Sequence, residues 1–256
     1  MPPLEAWYAE HGRHDLPWRR TRDPWAVLTS EVMLQQTQVS RVLTAWPEFL
    51  DRFPTPQALA GAGAGAAIRA WGNLGYPRRA RRLWEAACII AAEGWPDDLT
   101  RLPGVGRYTA GALAAQAHGS DTPAVDANIR RVVERFRGRR LTERQAEEAS
   151  VEIGAPLGGR DRLLALMDVG ARHCRSRAPL CDACPLATGC TTRGELAGET
   201  RARQAPFAGS FRQRRGQVLA ALREGRRPVT GLDPQALASL EADGLAVVEG
   251  TSARLP

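Results

Sequence analysis

Residues 102–112 read Leu-Pro-Gly-Val-Gly-Arg-Tyr-Thr-Ala-Gly-Ala, a tight turn with two glycines that opens a helix. Glycine lets the backbone turn sharply and approach a ligand closely. The first amides of a helix are unpaired donors at the positive end of the helix dipole, which suits a phosphate. The stretch predicts a helix-hairpin-helix in which Gly104, Gly106 and Arg107 hold a phosphate backbone without reading its sequence. The alternative is a loop that only joins two packed helices.

Outward from this turn, apolar residues recur at helical spacing through most of the chain, as at Val27, Leu28 and Val32. Proline and glycine interrupt the pattern at short intervals, which indicates helix ends. We therefore predict about ten helices, mostly shorter than about twenty residues, and an all-α main body.

The last part of the chain has a different composition. Residues 191–210 are polar and rich in Gly, Arg and Thr, without an apolar period, so a linker is expected there. Two helices are predicted at 211–223 and 234–242, followed by a short hairpin around Gly250. Together they outline a small winged-helix-like module at 211–256. Such a module serves packing as often as binding.

Charge and composition indicate the kind of partner that the protein binds. The 256 residues include 35 basic and 28 acidic side chains, a formal charge of +7, which favours a polyanion and nucleic acid first. All 35 basic residues are arginine, so chemistry through a lysine Schiff base is excluded. The sequence contains neither a membrane-spanning apolar run nor a signal-peptide pattern, and we expect a soluble protein that is not exported.

Four of the five cysteines are crowded into residues 174–190. Cys174, Cys181, Cys184 and Cys190 are separated by six, two and five residues. One close pair flanked by outliers, with a proline after Cys184, suits an iron–sulfur cluster, whereas structural zinc usually takes two close pairs. The pattern favours the cluster over zinc, and unligated thiols are favoured least. It is unlike a disulfide framework and indicates a reducing compartment.

Two carboxylates occur in unusual settings. Glu31 lies within 28–37, a mostly apolar helical stretch where a charge is costly unless it has a task. Asp126 opens the stretch Asp-Ala-Asn-Ile-Arg-Arg at the start of a predicted helix. The structural alternatives are that Glu31 faces solvent from an amphipathic helix and that Asp126 is a plain N-cap.

Taken together, these segments resemble the helix-hairpin-helix DNA glycosylases that carry an iron–sulfur cluster, and among them the MutY adenine glycosylases. The similarity runs from about Trp7 to Cys190. It is carried by the four clustered cysteines and by the segments 16–18, 30–38, 71–76, 102–111 and 126–131. Chance agreement in all of these places is implausible.

The resemblance implies an all-α fold with a six-helix barrel at 21–125, which contains the hairpin at about 99–112, and a small winged-helix-like α/β tail. It implies an iron–sulfur domain formed by 1–20 and 126–190, with a base-accepting cleft between barrel and cluster domain. The implied cofactor is a 4Fe–4S cluster held by the four clustered cysteines. The implied partner is double-stranded DNA with a mismatched or damaged base pair, bound by a monomer in the bacterial cytoplasm.

Roles carry over position by position from the family. Glu31 matches the catalytic acid that protonates the departing base, and Asp126 matches the ionised carboxylate that faces the sugar cation. Tyr108 and Asn128 match neighbouring positioning groups, and Gln36 matches a residue that inserts into the base stack. The remaining implied contacts with substrate or DNA are Arg13, Leu16, Trp18, Arg19, Gln35, Tyr76, Arg175 and Arg177.

Two departures from the family pattern bear on specificity, and one difference from related enzymes bears on strand cleavage. Pro77 stands where many members have a second tyrosine that wedges into the duplex beside 8-oxoguanine, so that wedge is lost or supplied by Tyr76. The residues after Ser210 are too few for the nudix-like domain that reads 8-oxoguanine in the usual member, and the short tail looks similar to that of actinobacterial members. Related endonuclease III enzymes have a cleaving lysine where Tyr108 stands, so strand cleavage is not expected.

The leading prediction is a monofunctional glycosylase that removes adenine opposite 8-oxoguanine or guanine, and the Glu31 segment with Gln35 and Gln36 points to adenine. One alternative changes the base to thymine or uracil opposite guanine, since tyrosine at the position of Tyr108 also occurs in such relatives. Another alternative is a non-enzymatic iron–sulfur DNA-binding regulator, which would need neither Glu31 nor Asp126.

Overall fold

The computed structural model describes residues 3–199 and 206–256, and these contain twelve α-helices and three short strands. The all-α prediction for the main body is confirmed. The chain divides into two compact units. The first unit comprises Met1–Glu31 and Gly106–Arg201, and the second unit comprises Val32–Val105 and Ala202–Pro256. The domain limits predicted at residues 21 and 126 stay a prediction. None of the described helices is long and apolar enough to cross a membrane.

The first unit is helical, and its apolar faces form one core. This core includes Ile129 and Val133 together with Leu164 and Val169, and Trp7 near the N-terminus joins it. The helices are α1 (Leu4–His11), most of α2 (Pro24–Leu34), α7 (Arg107–His118), α8 (Ala127–Arg137), α9 (Glu143–Gly154) and α10 (Gly159–Arg172).

Local signals fix the ends of these helices. The Asp126 carboxylate accepts hydrogen bonds from the backbone N–H groups of Asn128 and Ile129, at 2.9 and 2.7 Å, and so caps α8. Gly138 ends α8 in the left-handed region, with φ 69°, which glycine adopts without strain. Position 126 therefore lies at a helix start, as the sequence predicts.

Within residues 32–105, the second unit contains the end of α2 and four further helices, whose largest buried side chains include Phe49, Leu59, Trp71 and Leu83. These helices are α3 (Val39–Arg52), α4 (Pro56–Ala62), α5 (Ala64–Trp71) and α6 (Arg78–Glu93), and α6 packs against α4 and α5.

The C-terminal module is part of the second unit. Its helices α11 (Phe211–Glu224) and α12 (Pro234–Ala242) confirm the two predicted helices. Strands β2 (Val247–Glu249) and β3 (Ser252–Arg254) form the predicted hairpin, and β1 (Arg227–Pro228) pairs antiparallel with β3. The sequence analysis did not predict strand β1, because two residues are too few to show the alternation of apolar and polar side chains that identifies a strand.

Polar contacts tie this module to α5 and α6. Arg81 donates to the Asp243 carbonyl at 2.7 Å, and Arg69 donates to the Arg223 carbonyl at 2.9 Å. Gly65 lies so close to Pro256 that a side chain at position 65 would collide with it. The module therefore has a packing role, whatever else it does. Residues 200–205 of the predicted linker lie outside the described residues.

Candidate functional site

Glu31 lies inside the first unit, on α2, and only 6% of its surface is exposed. The Gln116 amide donates to Glu31 Oε1 at 2.7 Å, and the Tyr108 hydroxyl lies within hydrogen-bonding range of the same carboxyl. The alternative that Glu31 faces solvent is wrong. A carboxyl group that is buried with so few hydrogen-bond donors is explained more readily by a functional role than by a structural one.

Burial raises the pKa of Glu31 to about 7. The negative charge of Asp126 pushes it in the same direction, whereas the hydrogen bonds from Gln116 and Tyr108 and the charge of Arg19 oppose it. Desolvation dominates because a carboxylate loses more solvation free energy than these groups return. Glu31 can therefore carry a proton near neutral pH.

The charge of Asp126 acts on both Glu31 and Tyr108. Besides capping α8, its Oδ2 accepts a hydrogen bond from the Asn128 side-chain amide at 2.7 Å. Burial, and then the charges of Glu31 and Asp126, hold the pKa of Tyr108 well above its usual range, so this phenol stays neutral. The N-cap interpretation of Asp126 is correct, and it leaves Oδ2 directed to a side chain rather than to the helix.

The predicted contacts Arg13, Leu16, Trp18 and Arg19 lie on one stretch of chain, the pocket segment, and Asp168, which the sequence analysis did not identify, holds it in place. Asp168, which is fully buried, accepts two hydrogen bonds from the Arg19 guanidinium, at 2.7 and 2.9 Å, and one from the Arg13 backbone N–H at 2.9 Å. Burial alone would raise the pKa of Asp168, but the two arginines outweigh it and the pKa lies below its usual range. Leu16 and Trp18, predicted as contacts, are buried.

The four clustered cysteines line a single pocket together with Arg135, His173 and Ala187. None of them forms a disulfide. Among the residues that the structure describes, no three His, Cys, Asp or Glu side chains converge closely enough to hold one metal ion. Four thiols that surround a pocket but do not meet at a point fit a cluster of several irons better than a single zinc ion. Burial raises the pKa of Cys184 to about 11.

A second residue that was missed lies at the predicted DNA contacts of the second unit. Arg79 is buried and donates to the carbonyls of Val32 and Met33, at 2.8 and 3.1 Å, and to the Thr37 hydroxyl at 2.9 Å. The same guanidinium lies 5.4 Å from the ring centre of Tyr76. Arg79 therefore fixes the end of α2 and the Tyr76 turn with one side chain.

Gln36 and Tyr76 both have left-handed backbone conformations, with φ of 55° and 46°, and both side chains are exposed. Such conformations are unusual for residues other than glycine and often mark functional turns. Gln35 donates to the Gly104 carbonyl at 3.4 Å, which joins this segment to the glycine turn. The structure therefore brings Gln35, Gln36, Tyr76 and Gly104 together in the second unit.

The glycine turn has the conformation that its sequence predicts. Gly104 has φ 83°, and a side chain there would press on Arg82. Gly106 is the N-cap residue of α7 and offers no side-chain acceptor, so the first amides of the helix are not capped by it. The Arg107 guanidinium is exposed and pairs with Glu147 at 2.9 Å. Arg175 and Arg177 are also exposed, on the loop between the first two cysteines.

Comparison with known proteins places these features in context. Residues 29–156 match the family model of the HhH-GPD superfamily of base excision DNA repair proteins. The chain is 42% identical over 274 residues to the adenine DNA glycosylase of Mycolicibacterium smegmatis, covering 96% of this chain and 92% of that protein. It is 36% identical over 228 residues to the adenine DNA glycosylase of Homo sapiens, covering 81% of this chain and 42% of that protein.

Solved structures resemble about three quarters of the chain. A thermostable thymine-DNA glycosylase superposes with a TM-score of 0.65 at 29% identity, covering 74% of this chain and 92% of that chain. An endonuclease III trapped in a covalent complex with DNA superposes with a TM-score of 0.63 at 22% identity, covering 74% and 93%. The predicted helix-hairpin-helix glycosylase fold is thereby confirmed.

Proposed function

The chain belongs to the HhH-GPD superfamily of base excision DNA repair proteins, and from that premise we propose that it is a DNA glycosylase that removes adenine. Relatives at 42% identity over most of the chain are named adenine DNA glycosylases, which supports adenine as the base. The observation that carries the proposal is the pairing of Glu31, a buried carboxyl with a pKa near 7, with the half-buried carboxylate of Asp126. A DNA-binding regulator would need neither.

Glu31 and Asp126 have different roles in the reaction. A target base must leave the duplex before its glycosidic bond can be cleaved. Glu31 then donates its proton to the departing adenine, which makes the base a better leaving group. Asp126, held by the α8 amides and by Asn128, stabilises the positive charge that develops on the sugar, until water adds to the anomeric carbon, loses a proton and leaves an abasic sugar. Tyr108 is the neutral hydroxyl that orients Glu31.

The predicted DNA contacts fall into groups with different tasks. Gly104, Gly106 and Arg107 would hold phosphates at the glycine turn and the start of α7. Gln36 and Tyr76 would enter the base stack, and Gln35 would support them. The other proposed contacts are Arg13, Leu16, Trp18 and Arg19 at the pocket segment, and Arg175 and Arg177 on the cysteine loop.

We also propose a 4Fe–4S cluster as the cofactor. The supporting observation is the pocket lined by Cys174, Cys181, Cys184 and Cys190, in which no three of the described side chains converge on one metal ion. A cluster bound by four thiolates supplies redox-active irons and a fixed, negatively charged anchor for the loop. Arg135 and Arg193 line the same pocket and would offset that charge.

Three finer features belong to the proposal. The adenine would stand opposite 8-oxoguanine or guanine. The chain would act as a monomer on double-stranded DNA at the bacterial nucleoid, in the cytoplasm. It would not cleave the strand, because it contains no lysine to form a Schiff base with the abasic sugar.

The decisive experiment uses four duplexes, with A opposite 8-oxoguanine, A opposite G, T opposite G and U opposite G. Alkali after the reaction should reveal cleavage only at the adenine sites. Release of thymine or uracil would favour the alternative base, and binding without release of any base would favour the regulator.

Without alkali, the strands should stay intact and borohydride should trap no complex, whereas Tyr108→Lys should gain trapping. Efficient trapping by the native chain would contradict the monofunctional assignment.

A further inference from the structure

Arg135 is a buried arginine on α8, with 2% of its side chain exposed. Its Nε and Nη2 donate to the two carboxylate oxygens of Glu199, at 2.6 and 2.7 Å. Its Nη1 donates to the Arg175 carbonyl at 2.8 Å and lies 3.7 Å from Cys174 Sγ. One guanidinium thus contacts both the first cysteine of the pocket and a residue beyond the last cysteine.

The segment that carries Glu199 folds back onto α8. The Thr191 and Thr192 amides donate to the carbonyls of Phe136 and Arg135, at 3.0 and 3.2 Å. Arg193 and Gly194 line the pocket itself. The pocket wall therefore continues beyond the last cysteine, through Arg193 and Gly194, and the segment that leads from them to Glu199 starts against α8.

A buried guanidinium that loses its carboxylate partner becomes an uncompensated charge, and it would then move toward solvent. Such a movement would remove the N–H group that faces Cys174 Sγ. Hydrogen bonds to ligand sulfurs and other groups around a metal site orient the ligands and stabilise the bound metal. A bidentate contact at both carboxylate oxygens leaves the guanidinium one orientation only, with Nη1 toward the cysteine.

We propose that residues 191–199 belong to the cluster site and that Glu199 is a positioning residue, which holds Arg135 against Cys174 and so retains the cluster. This inference rests on the proposed 4Fe–4S cofactor. An ion pair with a purely structural role would change the unfolding of the chain without changing how fast the folded protein loses iron. The two roles are therefore separable by experiment.

The test compares Glu199→Gln and Arg135→Lys with the wild-type chain. Each protein is purified without oxygen, its iron per chain is measured, and the loss of visible cluster absorbance is followed in ferricyanide and, separately, in EDTA. Both variants should lose the cluster roughly tenfold faster than wild type, the usual scale for residues that support metal ligands. Lysine keeps the charge but lacks the fork that reaches Glu199 and Cys174 together. Glu152→Gln is the matched control, because Glu152 pairs with Arg137 on α8 but is largely exposed, and neither residue lines the cysteine pocket; it should lose its cluster at the wild-type rate.

The outcomes separate the inference from its premise. Wild-type protein without iron would overturn the cluster assignment and this inference with it. Wild-type protein with iron, together with a Glu199→Gln variant that bleaches at the wild-type rate, would overturn the positioning role alone. Should Glu199→Gln lack helical circular dichroism, Arg135→Lys decides: fast loss from a folded variant supports the role, and wild-type loss refutes it. Equal acceleration by Glu152→Gln would show that the loss of any ion pair to α8 suffices, which also refutes the positioning role.

Discussion

The surroundings of Glu31 and of Asp168 make an informative comparison within the first unit. Both carboxyls are buried, yet burial raises the pKa of Glu31 to about 7, whereas the pKa of Asp168 lies below its usual range. Two arginines donate to Asp168, whereas neutral groups, Gln116 and Tyr108, hydrogen-bond to Glu31. The charge of the partners, rather than burial, therefore decides which acid is ionised, and the two acids suit different tasks.

The largest expected effect comes from removing the proton that Glu31 holds. Glu31→Gln should lower the single-turnover rate of adenine excision by about two to four orders of magnitude, the usual contribution of a general acid. Binding to the same duplex should be retained, because the amide keeps the shape of the carboxyl. Quenched reactions and fluorescence anisotropy measure the two properties. The exposed residue Glu148, changed to Gln, serves as the control, and near-normal turnover by Glu31→Gln would move the acid role elsewhere.

Asp168, the ionised acid of the comparison, should contribute to the stability of the fold. Asp168→Asn leaves the buried Arg19 guanidinium without its carboxylate, and breaking such a pair costs roughly 3–5 kcal/mol of unfolding free energy. Denaturant unfolding measures the loss. Asp121→Asn is the matched control, because Asp121 also pairs with an arginine, Arg162, but is itself 72% exposed, so water can replace it and the loss should be much smaller than for Asp168→Asn. Equal losses of unfolding free energy in the two variants would show that burial of the carboxylate makes no difference to the strength of the pair.

The raised pKa of Glu31 also predicts a pH-dependent stability. In the unfolded chain this carboxyl ionises near 4.5, but in the folded chain it stays protonated to about 7. The folded state therefore binds more protons in this window, and its stability falls as pH rises from 4.5 to 7. Because each pH unit corresponds to about 1.4 kcal/mol, Glu31→Gln should be more stable than wild type by up to about 3 kcal/mol above pH 7.

That gain should vanish toward pH 4.5, where the wild-type carboxyl is neutral in both states. Melting both proteins at a series of pH values tests the relation, and a constant difference across the series would contradict it. The excision rate gives an independent view of the same group, since it should fall about tenfold per pH unit above 7 as the acid loses its proton.

The smallest expected effect concerns the hydrogen bond that Glu31 accepts from the neutral Gln116 amide. The hydrogen bond from Gln116 lowers the pKa of Glu31, so Gln116→Met, which keeps the length of the side chain, should raise it further. The falling limb of the pH–rate profile should then move up by about one pH unit, the scale of one hydrogen bond to a charged group. A limb that stays in place would assign the titration to another group.

Local signals in the sequence predicted much of this molecule. The Asp126 cap, the positive φ of Gly104 and the cysteine spacing all depend on neighbours within a few residues, and short-range chemistry determines them. The predicted helices of the C-terminal module are confirmed for the same reason. The apolar surroundings of Glu31 were also visible in its own helix.

Partners that are distant along the chain were not predictable in this way. Gln116 lies 85 residues from Glu31, and Arg19 lies 149 residues from Asp168. One signal could have found Gln116, because it is two helical turns after Tyr108 and so shares its face of α7. No local pattern distinguishes Asp168 or Arg79 from other charged helix positions, since a long side chain is matched to its acceptors only by the fold.

The single guanidinium of Arg79 has a thermodynamic consequence. By bonding the end of α2 and the Tyr76 turn at once, it orders two segments before any partner arrives. Each residue fixed in a single backbone conformation costs about 1–2 kcal/mol of conformational entropy, and here that cost falls on folding rather than on binding. A DNA duplex that engages Gln36 and Tyr76 would meet surfaces that are already ordered. Its association would therefore carry a smaller entropic penalty than if the two turns became ordered only on contact.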